Sequence, residues 1–152
     1  MHRLSHTDGD GRARMIDIGG KYPQRRIATA RGHISLSDKT RELIRENEMK
    51  KGDVLTVAQV AGIQAAKNTP QLIPLCHPLS LDDVDVQMEP DSEGIMATAT
   101  VACTGRTGVE MEALTAVSVA LLAVYDMCKA VDSSMQIGEI TLLEKVKSDV
   151  RD

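Results

Sequence analysis

The spacing of apolar and polar residues changes period several times along the chain, and each change marks an element. RIATARGHISL, Arg26 to Leu36, places Ile27 and Thr29 two apart and Ile34 and Leu36 two apart, which predicts a strand, bulged at Gly32. Ser37-Asp38 then has the composition of a helix N-cap, and Leu43 and Ile44 amid charges predict a short surface helix reaching about Met49. Gly52-Asp53 opens a second helix. Its Val54, Val57, Ala58, Ala61 and Ala65 recur at steps of three and four and form one apolar stripe, ended by Asn68, Thr69 and Pro70. LIPLCHPL, Leu72 to Leu79, contains two prolines and so forbids a long regular element. DVDVQM then alternates strictly, with Val84, Val86 and Met88 on one face, and the turn PDSEG joins it to the alternating IMATATVAC as a hairpin. Val109 to about Val131 is apolar nearly all round, which predicts a long helix buried on more than one side. Gln136 to Lys145 reads as a last strand, and MIDI, Met15 to Ile18, as a short extended segment ahead of the first.

The main elements therefore run strand, helix, strand, strand, helix, strand, with a small extra helix in the first connection. That is the ferredoxin-like split βαβ order: an α+β fold whose antiparallel sheet carries its helices on one face. A single domain is expected over residues 15–146, preceded by a mobile, glycine-containing charged arm over 1–14 and followed by a polar tail over 147–152.

Composition narrows the function. The 152 residues include 42% hydrophobic and 26% charged residues, which excludes wholesale disorder. A net charge of −4 argues against a general nucleic-acid or membrane-surface binder, so an anionic ligand would need a local basic cluster. With two Tyr and no Phe or Trp, only Tyr22 and Tyr125 could stack on bases, which disfavours single-strand recognition. The core must be Val, Ile, Leu, Ala and Met, and its small side chains favour an oligomer that buries more surface between subunits. Cys76, Cys103 and Cys128 are odd in number and widely spaced, and so read as reduced thiols. The opening MHRLSHTDGDGRAR lacks the apolar centre of a signal peptide, and Ala113 to Tyr125 falls short of the ~20 residues of a membrane span; a soluble, cytoplasmic protein is expected.

Polar groups that interrupt apolar segments carry the candidate chemistry. His77 stands between Cys76 and Pro78; an isolated histidine is more often a satisfied core residue, but two prolines would also present it rigidly to a ligand. Cys76 and His77 are not a metal motif, since neighbours in an extended segment point to opposite sides. Glu110 and Glu112 open the long helix. There they complement its dipole, although Gly105 and Gly108 suggest close approach of a ligand and Glu112 could accept from a guanine-like edge. Asp126 and Lys129 share one face near the end of that helix, either as a surface ion pair or as a pair at a subunit boundary or pocket wall, where a crowded Lys would have a depressed pKa. Arg25-Arg26, Lys50-Lys51 and Lys67 are singly ordinary charges and together could make a polyphosphate cluster.

Two strings go further. KGDVLTVAQVAGIQAAKNTPQLIPLCHPL and TGVEMEALTAVSVALLAVYDMCKAVD strongly resemble molybdenum cofactor biosynthesis protein C, the cyclic pyranopterin monophosphate synthase family, and the similarity extends from about Met15 to Lys145. The resemblance implies a homohexamer, a trimer of dimers with sites at the dimer interface. It implies a lyase that converts 3′,8-cyclo-7,8-dihydroguanosine 5′-triphosphate, a purine triphosphate, to cyclic pyranopterin monophosphate with release of pyrophosphate. No redox cofactor or resident metal is implied; Mg²⁺ would enter, if at all, with the triphosphate. Neither nucleic acid nor membrane is implied as a partner. By the same resemblance Asp126 matches a catalytic aspartate, and Lys51 and Lys129 match essential lysines. Leu75, Cys76 and His77 match one substrate-binding segment, Met111 and Glu112 the other, while Arg26, Lys67, Glu110 and Lys145 line or support the pocket.

One departure stands out. The family pattern continues past Lys145 into a glycine-rich GGKSG segment thought to close over substrate, whereas this chain reads VKSDVRD; hinge freedom is reduced accordingly. Gly19, where the family prefers Ser or Thr, is a smaller difference. The rival reading is a non-catalytic relative that binds a purine triphosphate on the same scaffold.

Overall fold

A computed structural model describes residues 7–150; the outer part of the expected arm, residues 1–6, and the last two residues of the tail lie outside the described residues. The elements are β1 (Gln24–Ser35), α1 (Asp38–Arg45), α2 (Val54–Lys67), α3 (Thr69–Leu72), β2 (Leu81–Pro90), β3 (Gly94–Gly105), α4 (Glu110–Cys128) and β4 (Gln136–Ser148). The strands form one antiparallel sheet in the order β2-β3-β1-β4, so the expected α+β ferredoxin-like architecture is the one observed.

The two central strands explain how the helices come so close. On their inner face Ala28, Ala30 and Ile34 of β1 stand opposite Val101, Ala99 and Ile95 of β3, all at 1% exposure or less. Gly32 completes that row: a Cβ there would lie 2.9 Å from Val117 and Leu121 of α4 and from Ile140 of β4. Short side chains thus let α4 sit almost on the sheet, and close packing replaces the bulk that aromatics would supply. By length and composition α4 is apolar enough to cross a bilayer, but it is the core helix, burying Ala113, Ala116, Val117, Ala120, Leu121 and Val124. Its outward side leaves Met111, Leu122 and Tyr125 exposed.

The elements differ from the sequence reading in several places. α1 stops at Arg45, short of Met49, because Asn47 turns left-handed at φ 55°. Asn47 N–H then donates to the Ile44 carbonyl and Glu48 N–H to that of Leu43, the paired bonds of a Schellman stop. On α2 the buried stripe is Val54, Ala58, Gly62, Ala65 and Ala66, while Val57 faces outward at 45% exposure. The expected bulge lies at Gly32, but the extra residue is on β4: Arg31 pairs with Thr141 and His33 with Gly138, leaving Glu139 at φ 56°. MIDI pairs with no strand among the described residues. β4 continues to Ser148, so Lys147 and Ser148, expected in the tail, pair with Arg26 and Arg25 instead.

Candidate active site

Lys51 is presented by the tight connection between α1 and α2. Met49 anchors it in the core, Gly52 N–H donates to the Met49 carbonyl at 2.9 Å, and Gly52 takes φ 99°. Asp53 then caps α2 by accepting from Thr56 N–H at 3.0 Å and Thr56 Oγ1 at 2.6 Å; the hydroxyl bond is the larger cause of its lowered pKa. The geometry aims Lys51 at the last turn of α4. Its Nζ donates to the Asp126 carbonyl at 2.9 Å and to Asp126 Oδ2 at 3.0 Å, while Lys129 Nζ reaches Asp126 Oδ1 at 2.8 Å.

Gly52 is needed for its backbone, because a Cβ would meet nothing within 4 Å yet φ 99° is strained for any other residue. Gly52→Ala is expected to cost about 1 kcal/mol of stability, read by thermal melting, and to lower kcat/KM by moving Lys51.

Asp126 and Lys129, expected either as a surface ion pair or at a subunit boundary or pocket wall, are not buried within the single chain: both side chains are more than half exposed. Nor is Lys129 depressed: its pKa is raised by the hydrogen bond to Asp126, and that of Asp126 is lowered by Lys129 first and Lys51 second. A carboxylate between two ammonium groups reverses the effect that cations alone would have. The resting state is therefore an ionised Asp126 and a protonated Lys129.

The second cluster forms where LIPLCHPL meets the start of α4. Cys76 and His77 point to opposite sides, as extended neighbours do: Cys76 Sγ donates to Glu112 Oε1 at 3.6 Å, and His77 Nε2 donates to the Ile16 carbonyl at 2.7 Å. Burial, and then Glu112, pushes the Cys76 thiol up to about 11, so it stays protonated. Glu112 is 1% exposed and its pKa is raised, chiefly by burial; Oε2 has no hydrogen-bond partner among the described residues. Leu75 and Met111 are each 37% exposed beside this pair in sequence.

The raised pKa of Glu112 has a stability consequence. The unfolded chain releases the Glu112 proton in the ordinary glutamate range, whereas the native chain holds it to higher pH. Stability is therefore full below that range and lost as pH rises toward the native pKa. Glu112→Gln is expected to melt with wild type near pH 4 and above it near pH 8; equal gaps at both pH values would refute a native carboxyl that resists ionisation.

Arg26, Glu110 and Lys145 come together beside the Glu112 end. Lys145 Nζ lies 3.3 Å from Glu110 Oε1, Arg26 keeps a buried Nε without a partner among the described residues, and with Lys147 they line a groove of about 240 Å³. Lys147 is the residue the sequence reading left out, since its membership depends on the longer β4. Lys67 lies apart, in a shallow depression with Leu79, Asp82 and Asp83. The expected single basic cluster is thus divided. Lys51 serves one end of α4, Arg26 and Lys145 the other, and Arg25 is already paired with Asp82 at 2.8 Å. From Glu112 to Asp126 the helix rises roughly 20 Å, so one chain cannot bring both clusters around the reacting part of one small ligand.

Among the described residues, no group of three or more His, Cys, Asp or Glu is placed to hold a metal ion. The arrangement offers cations at both ends of α4 and, at the start of the helix, a buried carboxyl with a free oxygen for the donor edge of a base.

Known proteins match the chain over nearly its whole length. The model of the MoaC family matches residues 15–148. A protein of Pelotomaculum thermopropionicum named cyclic pyranopterin monophosphate synthase is 56% identical over 147 residues, covering 95% of this chain and 86% of that one. Proteins of the same name from Novosphingobium aromaticivorans and Chloroflexus aggregans are each 57% identical, covering 95% of this chain and 92% and 89% of their own. The matched span begins one residue before Ile16, which His77 holds, and ends on the last residue of β4, so every site element described above falls inside it: the chain belongs to the MoaC family.

Proposed function

We propose that the protein is a cyclic pyranopterin monophosphate synthase of molybdenum cofactor biosynthesis, acting in the cytoplasm on 3′,8-cyclo-7,8-dihydroguanosine 5′-triphosphate with release of pyrophosphate. The observation that carries this reading is the convergence of Lys51 and Lys129, from separate elements, on the single carboxylate of Asp126. Family membership and the names of the relatives support the reaction.

The active site is assembled from two chains of a homohexamer built as a trimer of dimers, the lysine end of one α4 meeting the Glu112 end of its partner. Two findings favour this: the roughly 20 Å between the clusters, and Met111, Leu122 and Tyr125 left exposed along the outer side of α4. The triphosphate draws Lys51 and Lys129 toward its oxygens. That frees Asp126 from its cations and makes it a stronger base, while Lys129, holding its proton, serves as acid and charge stabiliser as pyrophosphate leaves. Leu75, Cys76, Met111 and Glu112 receive the purine-derived rings, and His77 fixes the segment at residue 16 against them. Arg26 and Lys145 add positive charge for the anionic part, Glu110 holds Lys145 in place, and Lys67, which lies apart, supports the pocket from outside it. Mg²⁺ enters only with the triphosphate, and neither nucleic acid nor membrane is a partner.

One observation favours a second reading, a non-catalytic binder of purine triphosphates. Lys147 and Ser148 are laddered to β1 and so are not free to close over a ligand. Incubation of the purified protein with the cyclic triphosphate, assayed for pyrophosphate and pterin, separates the two: turnover supports the synthase, and tight binding without release supports the binder.

A further inference from the structure

Asp132 lies outside both clusters, yet among the described residues it is one of only two acidic side chains that are buried, at 4% exposure. Its surroundings are complete. Oδ2 accepts from Ser37 N–H, the cap of α1, at 2.8 Å; Oδ1 accepts from Ser134 N–H at 3.0 Å and Ser134 Oγ at 2.8 Å. Ser37 Oγ is in turn 2.9 Å from Oγ1 of the fully buried Thr40. Burial alone would push the carboxyl up, but the bonds from Ser37 and Ser134 prevail and hold it well below the usual range, so it stays charged.

The position of this knot gives it a role. Asp132 follows Lys129 by one turn, and its own N–H closes the end of α4 by donating to the Cys128 carbonyl at 3.1 Å. Ser37 starts the helix whose far end leads into the Lys51 turn. The segment carrying Lys51 and the helix end carrying Asp126 and Lys129 are thus joined twice. One junction is the exposed Lys51–Asp126 pair, and the other is the buried Asp132–Ser37 bond. An exposed ion pair holds two backbones in register only weakly, and an incoming polyphosphate competes for it. A buried carboxylate with three N–H or O–H donors does neither.

We propose that Asp132 is a positioning residue of the synthase, a buried clasp that keeps the Lys51 turn and the last turn of α4 in register so that Lys51 and Lys129 share Asp126. The inference deepens the active-site reading above and rests on it for the consequence in catalysis, but not for the geometry.

The test uses Asp132→Asn, with Ser134→Ala as a milder variant that removes one exposed donor and leaves the Ser37 bond, and Asp132→Glu as the conservative rescue. Lysine ε-carbon resonances of the full chain, titrated by NMR, read the triad directly. In folded Asp132→Asn the Lys51 resonance is expected to lose the shift it shows in wild type as acid protonates Asp126, with a smaller loss in Ser134→Ala and partial restoration in Asp132→Glu, while Lys129, three residues from Asp126 on the same helix, keeps its own. In the synthase assay, run well below each melting temperature, kcat is expected to drop about 10- to 100-fold while KM changes less than about threefold. If Asp132→Asn does not fold, the Ser134→Ala titration decides. A lysine titration identical to wild type in the folded variants overturns the clasp, whatever the activity. A moved titration in the variants, with the wild-type protein releasing no pyrophosphate, keeps the clasp and overturns the synthase reading instead.

Discussion

Asp126→Asn is expected to lower kcat by about a thousandfold, the middle of the range for removing a positioned proton-transfer group, while the fold is untouched. The side chain is more than half exposed and packs into no core, so the melting temperature should stay within ~2 °C of wild type. The substitution preserves shape and leaves the Asp126 carbonyl as acceptor for Lys51, but it removes the charge that both lysines share. The freed ammonium groups then have no anion but the ligand. Inorganic triphosphate should bind as tightly as to wild type or more tightly, by calorimetry, even as turnover collapses. A purely phosphate-organising Asp126 would instead weaken binding and turnover together, and activity within threefold of wild type would remove Asp126 from the chemistry altogether.

The second large effect is a recovery. Lys51→Ala and Glu112→Gln, each close to inactive alone, should regain activity when mixed and allowed to exchange subunits, because a site built from two chains can draw its lysine end from one variant and its Glu112 end from the other. With random pairing in a twofold dimer, about one site in four is intact, so close to a quarter of wild-type turnover is expected. If each chain housed a whole site, every site would carry a lesion and mixing would restore nothing. The roughly 20 Å along α4 between the two clusters is the reason to expect the first outcome.

Much of the fold was legible because the deciding signals are local. Strict alternation over Val84–Met88 and the apolar length after Val109 each specify their element without reference to distant residues, and β2, β3 and α4 fall where those patterns put them. The misplaced ends have conformational causes. Asn47 stops α1 by adopting a left-handed turn that nothing in DKTRELIRENEM obliges, and Glu139 adds its extra residue on β4 although Gly32 drew attention to β1. Site residues were named from family resemblance, and in the structure Lys51 and Lys129 both pair with Asp126. The charge distribution was less visible. A run such as Arg25-Arg26 does not reveal that Asp82 pairs with the first while the second lines a groove. Lys129's raised pKa depends on a carboxylate contact, not on counting cations, and Asp132's environment depends on Ser37, 95 positions away in sequence.

An interior assembled without aromatic side chains has an optical corollary. With tryptophan absent, ultraviolet emission comes only from two phenols: Tyr22, at 87% exposure far out in solvent, and Tyr125, immediately before Asp126. A Tyr22→Phe background would leave a single native fluorophore next to the lysine triad. Ligand arrival or subunit docking could then be followed in real time without attaching a dye.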